Sequence, residues 1–162
     1  MNVSEVMQTP VQCCFPDDSL EMAAQMMAQN DCGSIPVVDD TNHAIGIVTD
    51  RDIALLAADR HQPLWELKAG DLTGRHDLYT CREDTDVQEA LHLMSDKKVR
   101  RLPVIGDDGE LHGIVVMSDI LHRLRMSGRA TQDAPEEWRE ALETFNHITT
   151  PSLPITTPGK DR

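Results

Sequence analysis

The sequence predicts a mixed α/β (α+β) fold made of two copies of one unit, each a small sheet with flanking helices. The first observation is a repeat: residues 32–53 align with residues 99–120 at an offset of 67, with eight identities in twenty-two positions. Before each aligned segment, apolar residues recur at helical spacing, and within it two β-branched runs flank a polar turn. Repeats of this kind bury their cores against one another. We therefore expect two similar halves that form a pseudo-symmetric module, with a cleft between them.

Each copy opens with a predicted amphipathic helix. Asp18 and Thr85 are the predicted N-caps, with Glu21 and Gln88 three positions later, as in a capping box. The apolar residues that follow recur at i, i+3, i+4 and i+7, which places each set on one helix face. These sets are Leu20, Ala23, Ala24 and Met27 in the first copy, and Val87, Ala90, Leu91 and Met94 in the second.

A hairpin and a second helix are predicted after each first helix. The predicted strands are 34–38 and 44–48 in the first copy, and 101–105 and 111–115 in the second. Pro36 and Pro103 should lie at strand entrances or edges, because proline cannot donate a hydrogen bond to a ladder. The second helices are predicted over residues 51–59 and 119–125.

This periodicity divides the chain into a first motif at residues 1–62, a second at 63–125 and an extension at 126–162. The connector begins at Pro63, and Leu64, Trp65 and Leu67 are expected to pack there. In the extension, residues 135–145 read as a helix whose apolar stripe docks on the protein itself or on a partner. Residues 149–158 are rich in Pro and Thr and are expected to be disordered.

Composition excludes several classes of function. The net charge of −13 argues against a broad nucleic-acid surface, and residues 97–101 form the clearest local basic spot. No apolar run is long enough to span a membrane, and the N-terminus lacks the features of a signal peptide, so a cytoplasmic location is expected. The four cysteines form no CxxC pair, which predicts neither a disulfide framework nor a metal site.

The order helix, strand, turn, strand, helix resembles the cystathionine-β-synthase (CBS) domain over residues 3–125. The residues that carry the likeness are the G-h-h-T-x-x-D segment from Gly46 to Asp52, where h is apolar, and its copy from Gly113 to Asp119. Two copies in tandem resemble a CBS pair, or Bateman module. The resemblance implies clefts that bind an adenosine-containing ligand such as AMP, ADP or ATP, less often NAD or S-adenosylmethionine, with Mg²⁺ as a companion of ATP. It also implies a homodimeric disc and a protein partner that is regulated in trans.

Site residues follow from the same resemblance. In the first copy, Asp52 would hold the ribose and Thr49 a phosphate, and Arg51 is an additional phosphate donor by position. Ser34, Ile35 and Pro36 would line the adenine pocket. The alternative for Thr49 is a plain helix N-cap.

The second copy departs from this pattern. Val116 stands where the first copy has Thr49, so the phosphate hydroxyl is lost, while Asp119 keeps the ribose function and Ser118 offers a hydroxyl. In this copy, residues 99–102, which include Arg100, Arg101 and Leu102, replace the small residues 32–35 at the strand entrance. Pro103 aligns with Pro36 and, with Arg100, Arg101 and Leu102, is a candidate residue of the second cleft. The two arginines either supply a cation to a phosphate, including one in the neighbouring cleft, or fill the pocket and block it.

These residues are compatible with three functions to different degrees. The leading hypothesis is a non-enzymatic sensor that binds an adenosine nucleotide and signals to a partner. The alternative is a ligand-free CBS scaffold or dimerisation protein. Catalysis is disfavoured, because the sequence shows no nucleophile–base set, no P-loop, no GxGxxG and no metal triad.

Overall fold

A computed structural model describes residues 1–126 and shows two similar halves, each with two helices around a β-hairpin. The C-terminal helix and tail predicted from the sequence lie outside the described residues. In the first half the elements are β1 (Ser34–Val38), β2 (Ala44–Thr49), α1 (Leu20–Gln29) and α2 (Asp50–Arg60). In the second half they are β3 (Cys81–Arg82), β4 (Arg101–Ile105), β5 (Leu111–Val116), α3 (Val87–Lys97) and α4 (Met117–Met126).

The two hairpins have the same register. In the first, β1 pairs antiparallel with β2, with Ser34 opposite Thr49. In the second, β4 pairs antiparallel with β5, with Arg101 opposite Val116, and β3 adds a parallel strand on the other side of β4. The corresponding neighbour of β1 is an isolated parallel bridge at Cys14. The repeat therefore includes Cys14 and Cys81, which are 67 residues apart and both buried.

Neither proline lies at a strand entrance, but Pro36 lies on an edge strand, which was the other place that the sequence predicted. Pro36 uses the side of β1 that faces away from β2, where its carbonyl accepts from the Cys14 N–H at 3.0 Å. Pro103 lies one residue before the part of β4 that pairs with β3. The proline nitrogen of Pro36 thus falls at an edge position, where the hairpin ladder needs no donor.

Helices α1 and α3 each begin one residue later than the sequence predicted. Ser19, not Asp18, caps α1 and accepts from the Met22 N–H, and Asp86, not Thr85, caps α3. The residues predicted as caps are used in the preceding turns. Asp18 accepts from the Phe15 N–H at 2.7 Å, and the Thr85 hydroxyl accepts from a backbone N–H at 3.0 Å.

The segment that precedes the first helix of each copy, which we call its lead-in, packs in the hydrophobic core of the other half. Val3, from the N-terminal turn, packs in the core of the second half. Leu67, Ala69 and Leu72, from the connector, pack in the core of the first half. Trp65 does not pack as the sequence suggested, since 65% of it is exposed. Each half therefore needs residues that precede the other copy's first helix, and this exchange ties the halves together.

Two equivalent glycines allow this exchange. A Cβ on Gly46 would lie 2.8 Å from the Thr73 methyl carbon, and one on Gly113 would lie 2.8 Å from the Gln8 carbonyl oxygen. Thr73 and Gln8 belong to the exchanged lead-ins, and the Gln8 backbone bonds to that of Ile114 in both directions. The glycine of each G-h-h motif is thus needed for close approach of the lead-in to the strand.

Candidate functional site

Two clefts open between the halves, and each combines the helix start of one copy with the strand entrance of the other. The Thr49 cleft has a volume of about 260 Å³ and places residues 49–52 opposite residues 98–101. The Asp119 cleft has a volume of about 330 Å³ and places Ser118 and Asp119 opposite residues 30–35. The exchanged lead-ins complete them, with residues 72–78 in the Thr49 cleft and Gln8 and residues 10–12 in the Asp119 cleft.

In the Thr49 cleft, Thr49 and Asp52 form a capping box at the start of α2. The Thr49 hydroxyl donates to Asp52 Oδ2 at 2.6 Å and accepts from the Asp52 N–H at 3.1 Å. The Thr49 N–H donates to the same carboxylate oxygen at 3.2 Å. Because β2 runs directly into α2, these bonds hold both side chains at the cleft edge, beside the positive end of the helix dipole.

The walls of the Thr49 cleft carry both signs of charge. Arg51, Lys98, Arg100 and Arg101 supply cations, while Asp50, Asp52 and Asp77 supply carboxylates. Three of these cations come from the α3–β4 connection and the first residue of β4 in the second copy, and two of these carboxylates come from α2 of the first. The arrangement can hold a polar ligand that presents hydroxyls at one end and an anion at the other.

In the Asp119 cleft, the Asp119 carboxylate has a different hydrogen-bond partner from the Asp52 carboxylate of the Thr49 cleft. Asp119 Oδ2 accepts from Gln8 Nε2 at 2.7 Å, and Val116 offers no hydroxyl. Burial raises the pKa of Asp119, while the Gln8 hydrogen bond and the neighbouring His122 oppose the rise. The lining includes the acidic residues Asp31 and Asp119 and a single basic residue, Arg101.

Within residues 1–126, His, Cys, Asp and Glu side chains form no group of three that is suited to hold a metal ion. Over the same residues, the structure contains no helix of the length and apolar character that crossing a bilayer requires. All four cysteines are free.

Comparison with known proteins decides the family. The family model of the CBS domain matches residues 3–59 and again residues 69–126. The chain belongs to the CBS domain family. Hypoxic response protein 1 of Mycobacterium tuberculosis is 33% identical over 120 residues, covering 74% of this chain and 82% of that protein. A crystal structure of Hypoxic Response Protein I with two coordinated zinc ions matches with a TM-score of 0.70 at 31% identity and covers 76% of this chain and 99% of that one.

Two further solved CBS proteins carry adenosine compounds. CBSX2 in complex with AMP matches with a TM-score of 0.67 at 27% identity, covering 79% of this chain and 98% of that one. The CBS domain pair of MJ0100, in complex with 5′-methylthioadenosine and S-adenosyl-L-methionine, matches with a TM-score of 0.67 at 25% identity over 79% and 98%.

Some relatives are longer than the matched region. The chain covers 61% of the protein MK0525 of Methanopyrus kandleri, at 36% identity over 75% of this chain. It covers 23% of the inosine-5′-monophosphate dehydrogenase of Methanocaldococcus jannaschii, at 32% identity over 74% of this chain. The likeness to these proteins is therefore confined to the CBS pair and does not extend to the rest of their chains.

The CBS pair distributes the predicted site residues differently from the sequence expectation. Ser34 and Ile35 line the Asp119 cleft, not the Thr49 cleft in which the adenine pocket was expected, and they face the second copy's Asp119. Pro36 is buried in β1. Leu102 and Pro103 are buried in β4, and none of these three belongs to the lining of either cleft.

The remaining predicted residues do line the clefts. Thr49, Arg51, Asp52, Arg100 and Arg101 meet in the Thr49 cleft, so the arginines of the second copy lie in the neighbouring cleft. The described lining of the Asp119 cleft includes Ser118 and Asp119, and Arg101 lines this cleft as well.

Sequence reasoning missed the contribution of the lead-ins. His76 and Leu78 line the Thr49 cleft, as Gln8 and Val11 line the Asp119 cleft. These segments lie outside the part of the repeat that aligns without a gap, so the offset of 67 gave no signal for them. The exchange of lead-ins across the two cores is what brings them to the clefts.

Proposed function

We propose that this CBS pair is a non-catalytic regulatory module that binds an adenosine nucleotide of the AMP, ADP or ATP class and passes its state to a protein partner. The Thr49 cleft is the primary site. In it, Asp52 accepts the ribose hydroxyls, and Thr49 together with Arg100 and Arg101 receives the phosphate. Where ATP is the ligand, Mg²⁺ accompanies its phosphates.

The observation that carries this proposal is the meeting of a carboxylate and a cluster of cations in one cleft at a helix N-terminus. Asp52 comes from α2 of the first motif, and Lys98, Arg100 and Arg101 come from the second. A ligand with a diol at one end and a phosphate at the other matches that separation of charge. The AMP complex of CBSX2 and the adenosine compounds bound to MJ0100 support the same ligand class.

The capping box is compatible with a ligand because it uses one carboxylate oxygen of Asp52. Both bonds from Thr49 end on Oδ2, which leaves Oδ1 to accept from the ribose. The box also fixes the carboxylate before the ligand arrives, which lowers the entropy cost of binding.

A second candidate is a ligand-free scaffold, and a specific observation favours it. Thr49 and Asp52 already satisfy each other, and Asp119 is already bonded to Gln8, so these two carboxylates do not require a ligand. Under this alternative the module assembles partners or a second copy of itself without a nucleotide. The two candidates differ in one property, which is stabilisation by a nucleotide.

Thermal unfolding separates them. The full chain is heated with AMP, ADP, ATP, NAD or S-adenosylmethionine, each with and without Mg²⁺. A ligand that binds only the folded state at ~100 times its dissociation constant adds about 2.7 kcal/mol, which shifts the midpoint by several degrees. The sensor function predicts a shift with an adenosine nucleotide, and the scaffold function predicts none.

A matched pair of variants assigns the shift to the cleft. Asp52→Asn keeps an oxygen for the Thr49 N–H but removes the charge that holds the diol, so the shift is expected to fall. Asp59→Asn makes the same change at an exposed position on the same helix, where the carboxylate lies 4.0 Å from Arg60 Nε. A shift that survives Asp52→Asn undiminished would rule out the assigned ribose contact.

The output of the module is proposed to act in trans. A ligand shifts a conformational equilibrium only if it prefers one state, and a cleft between two halves gives it that preference by contacting both. We also propose that the protein is cytoplasmic and that two modules pair into a homodimeric disc. The exposed apolar side chains Met22 on α1 and Leu55 on α2 are available for such pairing.

A further inference from the structure

Arg101 is the single residue, among those that the structure describes, that lines both clefts. It begins β4 opposite Val116 and occupies the repeat position of Ser34. The first motif thus places a small hydroxyl where the second motif places a long cation. The pseudo-symmetry of the two clefts is broken at this position, with one guanidinium between them.

The guanidinium has an unsatisfied donor. Its Nη1 exposes less than 1 Å² and has no hydrogen-bond partner among residues 1–126. A Cβ on Gly33 would lie 3.7 Å from this nitrogen, so the side chain reaches from the second motif to the strand entrance of the first. Burial, followed by repulsion from Arg100, lowers the pKa of Arg101, although arginine stays charged at neutral pH. A buried donor on a cation is costly to leave unpaired, so an anion that reached it would be bound well.

The two clefts depend on this cation to different extents. The Thr49 cleft has Arg51, Lys98 and Arg100 besides Arg101. Among the described residues that line the Asp119 cleft, Arg101 is the one basic side chain, and the same lining includes the acidic residues Asp31 and Asp119. A phosphate in the Asp119 cleft therefore has one described cation to bind, and that cation is also part of the Thr49 cleft.

We propose that Arg101 is an anion ligand shared by the two clefts, so that a phosphate bound in one weakens the binding of a phosphate in the other. This inference rests on the proposed function and adds its regulation. The two clefts compete for one guanidinium, and two phosphates near it also repel each other. An adenosine compound without a phosphate makes no demand on Arg101, so it binds the Asp119 cleft while AMP occupies the Thr49 cleft.

Calorimetric titration of the full chain with AMP tests this coupling. Asp119→Asn leaves the Thr49 cleft for AMP, and Asp52→Asn leaves the Asp119 cleft. In each of these two variants, adding Arg101→Gln is expected to weaken the affinity for AMP at least about tenfold, which is the effect of losing one charge-assisted hydrogen bond. Arg123→Gln, which removes the same charge from an exposed position on α4, is the control and should change neither affinity.

Competition is read from the protein with both clefts intact. The second AMP should bind at least about tenfold more weakly than it binds to the corresponding single-cleft variant, whereas adenosine added after AMP should show no such loss. The AMP coupling should disappear in Arg101→Gln. Arg101→Met keeps the aliphatic stem and provides a second variant, and without ligand it should unfold at or above the wild-type temperature, because it removes a buried nitrogen that has no hydrogen-bond partner among residues 1–126.

The titrations distinguish a failure of the shared Arg101 ligand from a failure of the proposed nucleotide function. Two AMP molecules that bind independently, or an Arg101→Gln effect confined to one cleft, would overturn the shared ligand and leave the nucleotide function intact. An absence of AMP binding in every protein would overturn the proposed function and this inference with it.

Discussion

The capping box at the start of α2 gives the sharpest prediction, because the repeat contains its own reference. Thr49→Val makes the first motif identical to the second at this position, where Val116 stands 67 residues later. The substitution keeps the size and branching of the side chain and removes only its hydroxyl. Two bonds are lost, one from the Asp52 N–H at 3.1 Å and one to Asp52 Oδ2 at 2.6 Å.

These bonds set the size of the effect. Loss of a side-chain N-cap costs about 1 kcal/mol, and loss of a hydrogen bond to a carboxylate adds roughly as much in a half-buried position. Thr49→Val is therefore expected to lower the free energy of unfolding by about 2 kcal/mol. For a chain of this length, that loss lowers the unfolding midpoint by roughly 4–8 °C.

The assay is denaturant and thermal unfolding of the ligand-free protein, with Val116→Thr as the reciprocal variant. Val116→Thr adds a hydroxyl three residues before Asp119 and is expected to stabilise the protein by about 0.5–1 kcal/mol through a new cap. If Thr49→Val unfolded at the wild-type temperature, the capping box would not hold the site, and the argument that Asp52 is fixed in advance would be refuted.

Three further predictions concern packing, pH and reactivity. Gly46→Ala should destabilise the protein by about 1–3 kcal/mol through overlap with the Thr73 methyl, and Thr73→Ser should restore most of the loss in a double-mutant cycle. The raised pKa of Asp119 means that its contribution to stability is present below the ordinary aspartate pKa and is lost as pH rises through its folded value. The stability of Asp119→Asn relative to the wild type should therefore increase as pH rises, and unfolding curves in which the variant lost stability relative to the wild type with rising pH would contradict this. Burial raises the pKa values of Cys14 and Cys81 to about 12, so alkylation followed by mass spectrometry should leave both unmodified at mildly alkaline pH until the protein is unfolded.

The repeat made much of the fold predictable. The predicted apolar stripes are buried or half-buried in the two cores, and the four hairpin strands agree with the prediction to within one residue, whereas the short strand β3 was not predicted. The N-caps were wrong by one residue for a physical reason. Asp18 and Ser19 are both good caps, and the choice depends on the Phe15 N–H that binds Asp18, which the sequence pattern does not reveal.

The composition of the clefts was less predictable. A repeat offset relates equivalent residues but does not say which copy's strand entrance faces which copy's helix start. Ser34 and Thr49 are directly opposite each other across one hairpin, yet they line different clefts. The exchange of lead-ins, which depends on the close approach at Gly46 and Gly113, decides the arrangement. These contacts are between distant parts of the chain, so local pattern does not encode them.

A crystal structure of the protein with AMP tests the central claim most directly. The account predicts the nucleotide in the Thr49 cleft, with the ribose hydroxyls on Asp52 and the phosphate against Arg100 or Arg101. Density for AMP with its ribose turned away from Asp52 and its phosphate away from both arginines would contradict the assignment. Crystals grown at saturating AMP with the cleft still empty would contradict the proposed function itself.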